Sequence, residues 1–452
     1  MTDINLICAA DLHLGRQVGH RNSKQQRSYV IQAWERLIDT CLNECPKVDA
    51  LLLAGDLIDK NGLFIEMHGI FRKGILKLQE QGISVIAIAG NHDAKVLDQF
   101  NRALGLSGFC LLGADGNWER KSFNFRERTL HVDGISFTDS FMRNNPIISR
   151  KWEPVPRGDV LIGLLHCDVD IMESKYAPVG SSDFCGLPHN AWVLGHVHIP
   201  KEIQLERPMV RYCGSLQGLD IGNSECGPRG AWKLTIDSFG TVTSKFLPLA
   251  PLRWEQVNVD LSGISAQDWE SQILKKIEER IVAQIEQFSN IEMVGVKLKF
   301  EGRTKIYREL RQHLSKIQDQ EEAGFTLEGR WIPYFVESVK NNTRPEFDLR
   351  SLANGRTIVA TLARKLLQVQ ENQPLSEIIF EHLKEKLGTD PFLKRCEQDN
   401  AWPEEAECLE LYLSQGYELL DELLEQTQGD WSAPHKNGPL TRPFLFSNIL
   451  SW

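Results

Sequence analysis

Apolar residues in this chain follow two spacings. Five short runs, at 4–10, 50–54, 83–89, 160–165 and 191–194, consist mainly of Ile, Val, Leu and Ala. Runs of that length without polar alternation suit strands buried on both faces. Between the early runs the period becomes helical: Val30, Trp34, Leu37, Ile38 and Cys41 share one face, and a second such segment covers 63–79. Strand–helix–strand alternation predicts an α/β domain with helices packed over its sheet.

The pattern changes near 248–251, where Pro248 and Pro251 interrupt regular structure. A short alternating run begins at Val257, a helix is expected over 266–288, and Val294, Val296, Leu298 and Phe300 then alternate with Gly295, Lys297 and Lys299 as a strand of period 2. A further helix over 303–318 and an extended stretch over 325–336 complete a small α+β unit. From 349 onward the chain reads helical, at 352–369, 375–387 and 403–426. The expected organisation is therefore an α/β domain at 1–250, an α+β domain at 251–345 and a helical region at 346–452. The last stripe (Ala406, Leu409, Leu413, Tyr417, Leu420, Leu424) suits the inside of a bundle or a partner's groove.

Each of the five runs ends in polar residues of one kind: Asp11-Leu12-His13, Gly55-Asp56, Gly90-Asn91-His92-Asp93, His166, and Gly195-His196-Val197-His198. Parallel strands deliver their C-terminal ends to one sheet edge, where sites are built. A lone Asp, Asn or His after a strand is commonly a turn former or cap. Five such clusters in succession instead predict a two-metal hydrolytic centre made of Asp11, His13, Asp56, Asn91, His166, His196 and His198. Two ions about 3.5–4 Å apart can activate a water and hold the attacking and leaving oxygens of a phosphoryl group. Ions that close need a shared ligand, and Asp56 is the expected bridging carboxylate. A donor set of carboxylate, carboxamide and imidazole without thiolate favours Mn²⁺, with Mg²⁺, Zn²⁺ or Fe as alternatives.

The ordered set DLHLG, GDLID, GNHD, a lone His after a strand, and GHVH resembles the calcineurin-like metallophosphoesterase superfamily. The N-terminal DLHLG, Tyr176-Ala177-Pro178, Gly214-Ser215-Leu216-Gln217-Gly218 and Gly227-Pro228-Arg229-Gly230 are similar to its SbcD/YhaO nuclease branch. The resemblance implies a sheet sandwich flanked by helices, a small α+β capping domain and a C-terminal helical region. It implies Asp11, His13, Asp56 and His198 on one ion and Asp56, Asn91, His166 and His196 on the other. It assigns His92 as the general acid that protonates the leaving alkoxide, with metal-held hydroxide as nucleophile. Asp93 would orient a ligand or His92. The implied activity is Mn²⁺-dependent DNA hydrolysis, exonuclease with endonuclease activity possible, in the processing of DNA ends or foreign DNA. The implied partners are DNA, a second copy of the chain and a separate SMC-like coiled-coil ATPase. No Gly-Lys dipeptide occurs, so no Walker A loop is present and ATP would be bound by that partner.

Composition narrows the setting. A length of 452 residues allows two or three domains. Asp11 lies too near the start for a cleaved signal peptide to precede it, and no apolar run approaches the roughly 20 residues of a membrane span. Ten scattered cysteines without a CxxC pair suit reduced thiols, so a cytoplasmic enzyme is expected. A net charge of −10 requires any DNA contact to be local. The acid-free loop carrying Arg16, His20, Arg21, Lys24 and Arg27 is the first candidate, and Arg143, Arg150, Lys151 and Arg157 form a second basic stretch. Two other readings stay open: a phosphodiesterase or phosphatase for small substrates with the same centre, and a non-catalytic scaffold of an ATPase complex.

Overall fold

A computed structural model describes residues 3–19, 24–59, 64–105, 108–125, 127–148, 150–222, 225–285, 290–318, 323–371, 413 and 416–424. The first sheet is built on parallel strands β1 (Ile4–Ala9), β2 (Ala50–Ala54) and β3 (Ser84–Ile88), joined by helices α1 (Lys24–Asn43) and α2 (Phe64–Glu80). Helix α3 (Val96–Leu104) leads to a short parallel β4 (Phe109–Leu111). A second sheet follows: β5 (Glu119–Phe125), β6 (Arg128–Gly134), β7 (Val160–His166), β8 (Ala191–Gly195), β9 (Lys201–Gln204) and β10 (Met209–Tyr212), in the order β5-β6-β7-β8-β10-β9. The chain then returns to the first sheet as β11 (Gly230–Ile236) and β12 (Val242–Pro248), with β11 antiparallel to β1 and Ile4 opposite Ile236. That sheet runs β12-β11-β1-β2-β3-β4.

The unbroken apolar runs are explained by three layers. Strand residues alternate between faces, so Leu6, Cys8, Leu52, Ile86 and Ile88 meet Leu130, Val132, Ile162, Leu164 and Val193 between the two sheets. Their neighbours Ile7, Ala9, Leu51, Leu53, Val85 and Ala87 pack under Trp34 and Leu37 of α1 and Phe71 and Ile75 of α2. Burying a side chain of that size contributes about 1.5–3 kcal/mol, which is why both faces of these strands select Leu, Ile and Val. On the far side of the second sheet, Leu165, Trp192, Leu194 and Val210 are covered by Phe137, Ile147, Val179 and Phe184. Those covering residues come from loops and a 3-10 turn (Ser181–Phe184), so helices flank the first sheet while irregular chain covers the second.

Past 248–251 the chain stays in the same core: Leu252 and Trp254 are buried with it, and Met293 and Phe335 pack against it. These residues belong to a third sheet. It comprises β13 (Leu252–Asp260), β14 (Met293–Glu301), β16 (Gly324–Leu327) and β17 (Arg330–Asn341), in the order β13-β14-β17-β16. Helix α4 (Trp269–Ile285) buries Ile273, Ile277, Ile281 and Ile285, a strict i, i+4 stripe. The helix expected at 303–318 begins only as α5 (Tyr307–Gln318). Before it, a two-residue β15 (Arg303–Thr304) pairs with β18 (Arg344–Pro345). The extended stretch at 325–336 is a hairpin, because Glu328 and Gly329 both take positive φ, 49° and 78°.

The chain divides into two compact units, Met1–Val259 with Glu270–Phe300 and Gln312–Asn341, and Asp260–Trp269 with Glu301–Arg311 and Asn342–Trp452. In the second unit α6 (Leu349–Ala353) and α7 (Ile358–Glu371) pack Leu349, Leu362 and Leu366 against Leu419 and Leu420. The Asp348 carboxylate caps α6 by accepting the Ser351 N–H at 3.1 Å. Arg303 there lies over the rings of Phe347 and Tyr417, with centroid distances of 4.9 and 4.3 Å. The expected helix at 375–387 and most of that at 403–426 lie outside the described residues. Among the described residues no helix is long and apolar enough to cross a membrane.

Candidate metal centre

The five polar clusters converge where β1, β2, β3, β7 and β8 end. Backbone pairing continues past the strands: the N–H of Asp11 donates to the Gly55 carbonyl and that of His13 to the Asp56 carbonyl, both at 3.0 Å. The His196 N–H donates to the Asp11 carboxylate at 3.1 Å, which ties the loop after β8 to the loop after β1. Asp11, His13, Asp56 and His196 all take positive φ, at 51°, 46°, 53° and 96°. Non-glycine residues rarely hold that conformation, and each instance costs roughly 1–3 kcal/mol. Four of the seven candidate ligands thus sit on backbone that the surrounding pairing holds against its preference. Glycines make the approach possible. A Cβ at Gly90 would lie 2.2 Å from Asp56 Oδ1, and one at Gly195 would lie 2.0 Å from the Ala54 carbonyl oxygen.

All seven candidate ligands face this convergence. Asp11, His13 and His198 can each offer a donor atom to one point, as can Asp11, Asp56 and His166. Asn91 Oδ1 lies 3.1 Å from His166 Nε2, and Asp56 Oδ2 lies 3.3 Å from it. His196 stacks edge-on against His166, with ring centroids 5.1 Å apart. His13, Asp59 and His92 meet in the same way, so Asp11 is the carboxylate shared by the first two groups and His13 is shared by the first and third.

The histidines are oriented through their second nitrogens, as ligating histidines usually are. His166 Nδ1 is 3.0 Å from the Ala54 carbonyl, to which it donates, and this turns Nε2 toward Asp56 and Asn91, where a cation would replace the proton that Asp56 otherwise holds there. His198 Nδ1 is held by Glu225, whose other oxygen accepts the Leu219 N–H at 3.1 Å. His196 Nε2 lies 3.4 Å from Asp168. The Nε2 atoms of His13 and His198 approach to 3.2 Å. These carboxylate, carboxamide and oriented imidazole donors, with no thiolate among them, fit hard or borderline divalent cations.

Electrostatics agree with that fit. Burial alone would raise the Asp56 carboxyl, but His166, with His13 and His92, outweighs it and holds the group well below the usual carboxylate range. The buried His166 is correspondingly raised to about 9, because Asp56 overcomes the desolvation that would lower it. A divalent cation would stabilise the Asp56 charge as protonated His166 does here. Asp93 is a bracket: one oxygen accepts the Gly90 N–H at 2.7 Å and the other the Leu57 N–H at 2.6 Å. Burial and the Asp56 charge push its carboxyl up to about 6.

His92 is not among the expected ligands, although with His13 and Asp59 it forms a third group whose donor atoms converge. Its side chain is 42% exposed, its ring meets His13 edge-on at 5.0 Å, and its N–H donates to Asp56 Oδ1 at 2.8 Å. Burial lowers its pKa, helped by the positive charge of His13 and Arg16, although Asp56 and Asp59 oppose the shift. Asp59 was not among the residues expected here. Its Oδ2 lies 3.6 Å from His13 Nδ1 and 3.9 Å from His92 Nδ1. Asp168 and Glu225 were missed too. Asp168 stands two residues after His166 and Glu225 two residues before the Gly227-Pro228-Arg229-Gly230 motif, signals of position that carried no assignment of either carboxylate.

The basic candidates separate. Arg16 is half-buried in the turn after the first ligands and lies within electrostatic range of His92. Lys24 and Arg27 lie in the first turns of α1, and Arg21 is outside the described residues. In the second stretch Arg150 is committed to structure, 3.3 Å from the buried Asp133 carboxylate and over the rings of Trp118 and Trp152.

Comparison with known proteins adds relatives. Residues 4–200 match the calcineurin-like phosphoesterase family. The chain is 25% identical over 354 residues to the DNA double-strand break repair protein Mre11 of Methanopyrus kandleri, covering 71% of this chain and 74% of that protein. It is 27% identical over 271 residues to the uncharacterized metallophosphoesterase YhaO of Bacillus subtilis, covering 58% of this chain and 64% of YhaO, just under two thirds. Similarity to the Mre11 protein of Haloferax volcanii is 27% over 274 residues, 57% of this chain and 55% of that one. Residues 4–200 thus form a calcineurin-like phosphoesterase domain, in a chain whose similarity to Mre11 and YhaO proteins is consistent with the SbcD/Mre11-type branch.

Proposed function

We propose that the chain is a Mn²⁺-dependent DNA nuclease that hydrolyses phosphodiester bonds, primarily as an exonuclease with endonuclease activity as well. The observation that carries this reading is the extent of similarity to proteins named for double-strand break repair: it runs over 71% of the chain, well past the phosphoesterase domain at 4–200. A small substrate gives the remaining length no evident task.

In this reading Asp11, His13, Asp56 and His198 hold one ion, and Asp56, Asn91, His166 and His196 hold the other. The ions, when bound, activate a water and neutralise charge on the phosphoryl group. The protein supplies the rest. Ala54, Glu225 and Asp168 fix the faces that His166, His198 and His196 present. His92, half-exposed beside the carboxylates, gives a proton to the leaving oxygen. Its lowered pKa leaves it neutral in the free protein near pH 7. A bound phosphodiester's negative charge, together with Asp59, favours the imidazolium that donation requires. Arg16, whose charge reaches His92, would take a backbone phosphate, and Arg21, Lys24 and Arg27, which follow it in the sequence, are the further candidates for DNA contact. The region 251–345 caps the nuclease and positions DNA, and 346–452 docks an SMC-like coiled-coil ATPase. The working form is a homodimer in the cytoplasm.

The test is cleavage of end-labelled single- and double-stranded DNA by the full chain with Mn²⁺, with and without chelator. Chelator-sensitive degradation is expected, and the product ladder gives polarity. Hydrolysis of bis(p-nitrophenyl) phosphate without loss of any DNA, alone or with an ATPase partner, would replace this reading with a small-substrate phosphodiesterase.

A further inference from the structure

Two loops beside the metal centre are joined by backbone. The Met142 N–H donates to the Lys175 carbonyl at 2.9 Å, and the Ala177 N–H donates to the Met142 carbonyl at 2.6 Å. This bridge sets Phe141 next to Tyr176. The Tyr176 ring lies 4.6 Å from the His196 ring at an interplanar angle of 40°, and the Phe141 ring lies 5.9 Å from Tyr176 at 41°. Three rings therefore step outward from a candidate ligand, ending in a Phe that is 48% exposed. Two cations flank that last ring, Arg143 Cζ at 5.5 Å and Lys175 Nζ at 5.6 Å from its centroid. Neither has an acidic partner among the described residues, in a chain of net charge −10.

Phe141 does not serve the core, because the apolar cluster under this face holds Tyr176 and Met142 and not Phe141. We propose that Phe141, with Arg143 and Lys175, is a stacking platform for a base of single-stranded DNA entering the centre. An aromatic face with unpaired cations beside it matches a nucleotide: the ring takes the base and the cations take its phosphates. Stacking of a base outweighs a cation–π contact at an exposed site, so an incoming base displaces a cation from the ring and frees it for the backbone. Paired bases in duplex DNA keep their faces covered, so the platform selects unpaired ends. The proposal rests on the nuclease reading above and names its substrate form.

Binding is read by fluorescence anisotropy, in chelator, with the full chain and labelled dT12 or an abasic strand of equal length. The wild-type protein should prefer dT12. Phe141→Ala should weaken dT12 binding about tenfold or more, within the range for loss of one stacked base, and leave abasic binding in place; Phe141→Trp should restore dT12. Equal weakening on both strands, or none on dT12, overturns the platform. Mn²⁺-dependent cleavage of dT12 by the wild type is scored separately. Base preference with no cleavage of single- or double-stranded DNA, alone or with an ATPase partner, would retire the nuclease and leave the platform standing, and cleavage without base preference would do the reverse.

Discussion

At the scale of single residues, His92 and the ligands are separable because they touch different things. His92 Nδ1 looks toward Asp59, while its backbone N–H holds Asp56. Truncating the ring would remove the proposed proton donor and keep that backbone contact. His92→Ala is therefore expected to bind both ions while turnover falls about 10²–10⁴-fold, the usual worth of a positioned general acid. Metal content by elemental analysis beside the rate checks this, and loss of metal in that variant would make His92 structural. The bridge is a sharper question. Asp56→Ala should release both ions together if Asp56 is shared. Asp11 is the carboxylate that two of the donor groups share. If Asp56→Ala keeps one ion and Asp11→Ala keeps none, the bridge belongs to Asp11. All seven candidate ligands were legible as residues because each directly follows an apolar run. Asp59, Asp168 and Glu225 were not, since a group that steadies a ligand need only meet it in space. Glu225 reaches His198 across 27 positions.

At the scale of elements, the turns after β2, β3 and β8 decide whether the ligands meet. Gly195 has no room for a methyl group, since its Cβ would sit 2.0 Å from the Ala54 carbonyl and 2.8 Å from His166 Nδ1. Gly195→Ala is expected to push β8 from β2, reducing metal affinity by more than tenfold and lowering the melting temperature. A calorimetric titration matching wild type would show that the loop relaxes without cost. Strand and helix positions in the first sheet were readable because both faces of each strand are buried and α1 and α2 carry one apolar stripe. The hairpin at β16–β17 and the short β15 were not, because two residues in positive φ and a two-residue pairing leave no periodic trace.

At the scale of the molecule, a buried polar cluster on the far side of the second sheet makes stability pH-dependent. Asp133 is wholly buried and accepts from Arg120 at 2.7 and 2.9 Å and from His189 at 3.1 Å. Burial lowers the His189 pKa below its ordinary 6.5, although Asp133 opposes the shift. For Asp133 burial acts upward, but Arg120 and His189 prevail and lower it from 3.8. Both native pKa values are depressed, so each group's contribution is complete above its unfolded value and lost on acidification. His189 sets the first window, below about pH 6.5, and Asp133 the second, below about pH 3.8. His166, His198 and Asp93 are raised and act in the opposite sense over this range, so the His189 contribution is read as a difference: between pH 7.5 and 5 in chelator, the wild-type melting temperature should lose more, or gain less, than that of His189→Gln. Parallel profiles for the two proteins would assign the acid loss elsewhere; the comparison cancels the other histidines.

The chain's own order determined the α/β class, the strands that end in polar clusters and the residue types gathered there as candidate donors. Each of these depends on local periodicity and on which residue follows a buried run. Only the tertiary structure decided that β11 and β12 return to the first sheet and that loops cover the second. It alone brought the oriented carboxylates to the histidines and placed Phe141 beside Tyr176. Those outcomes depend on contacts between residues far apart in the chain, and side-chain spacing along a strand or helix carries no information about them.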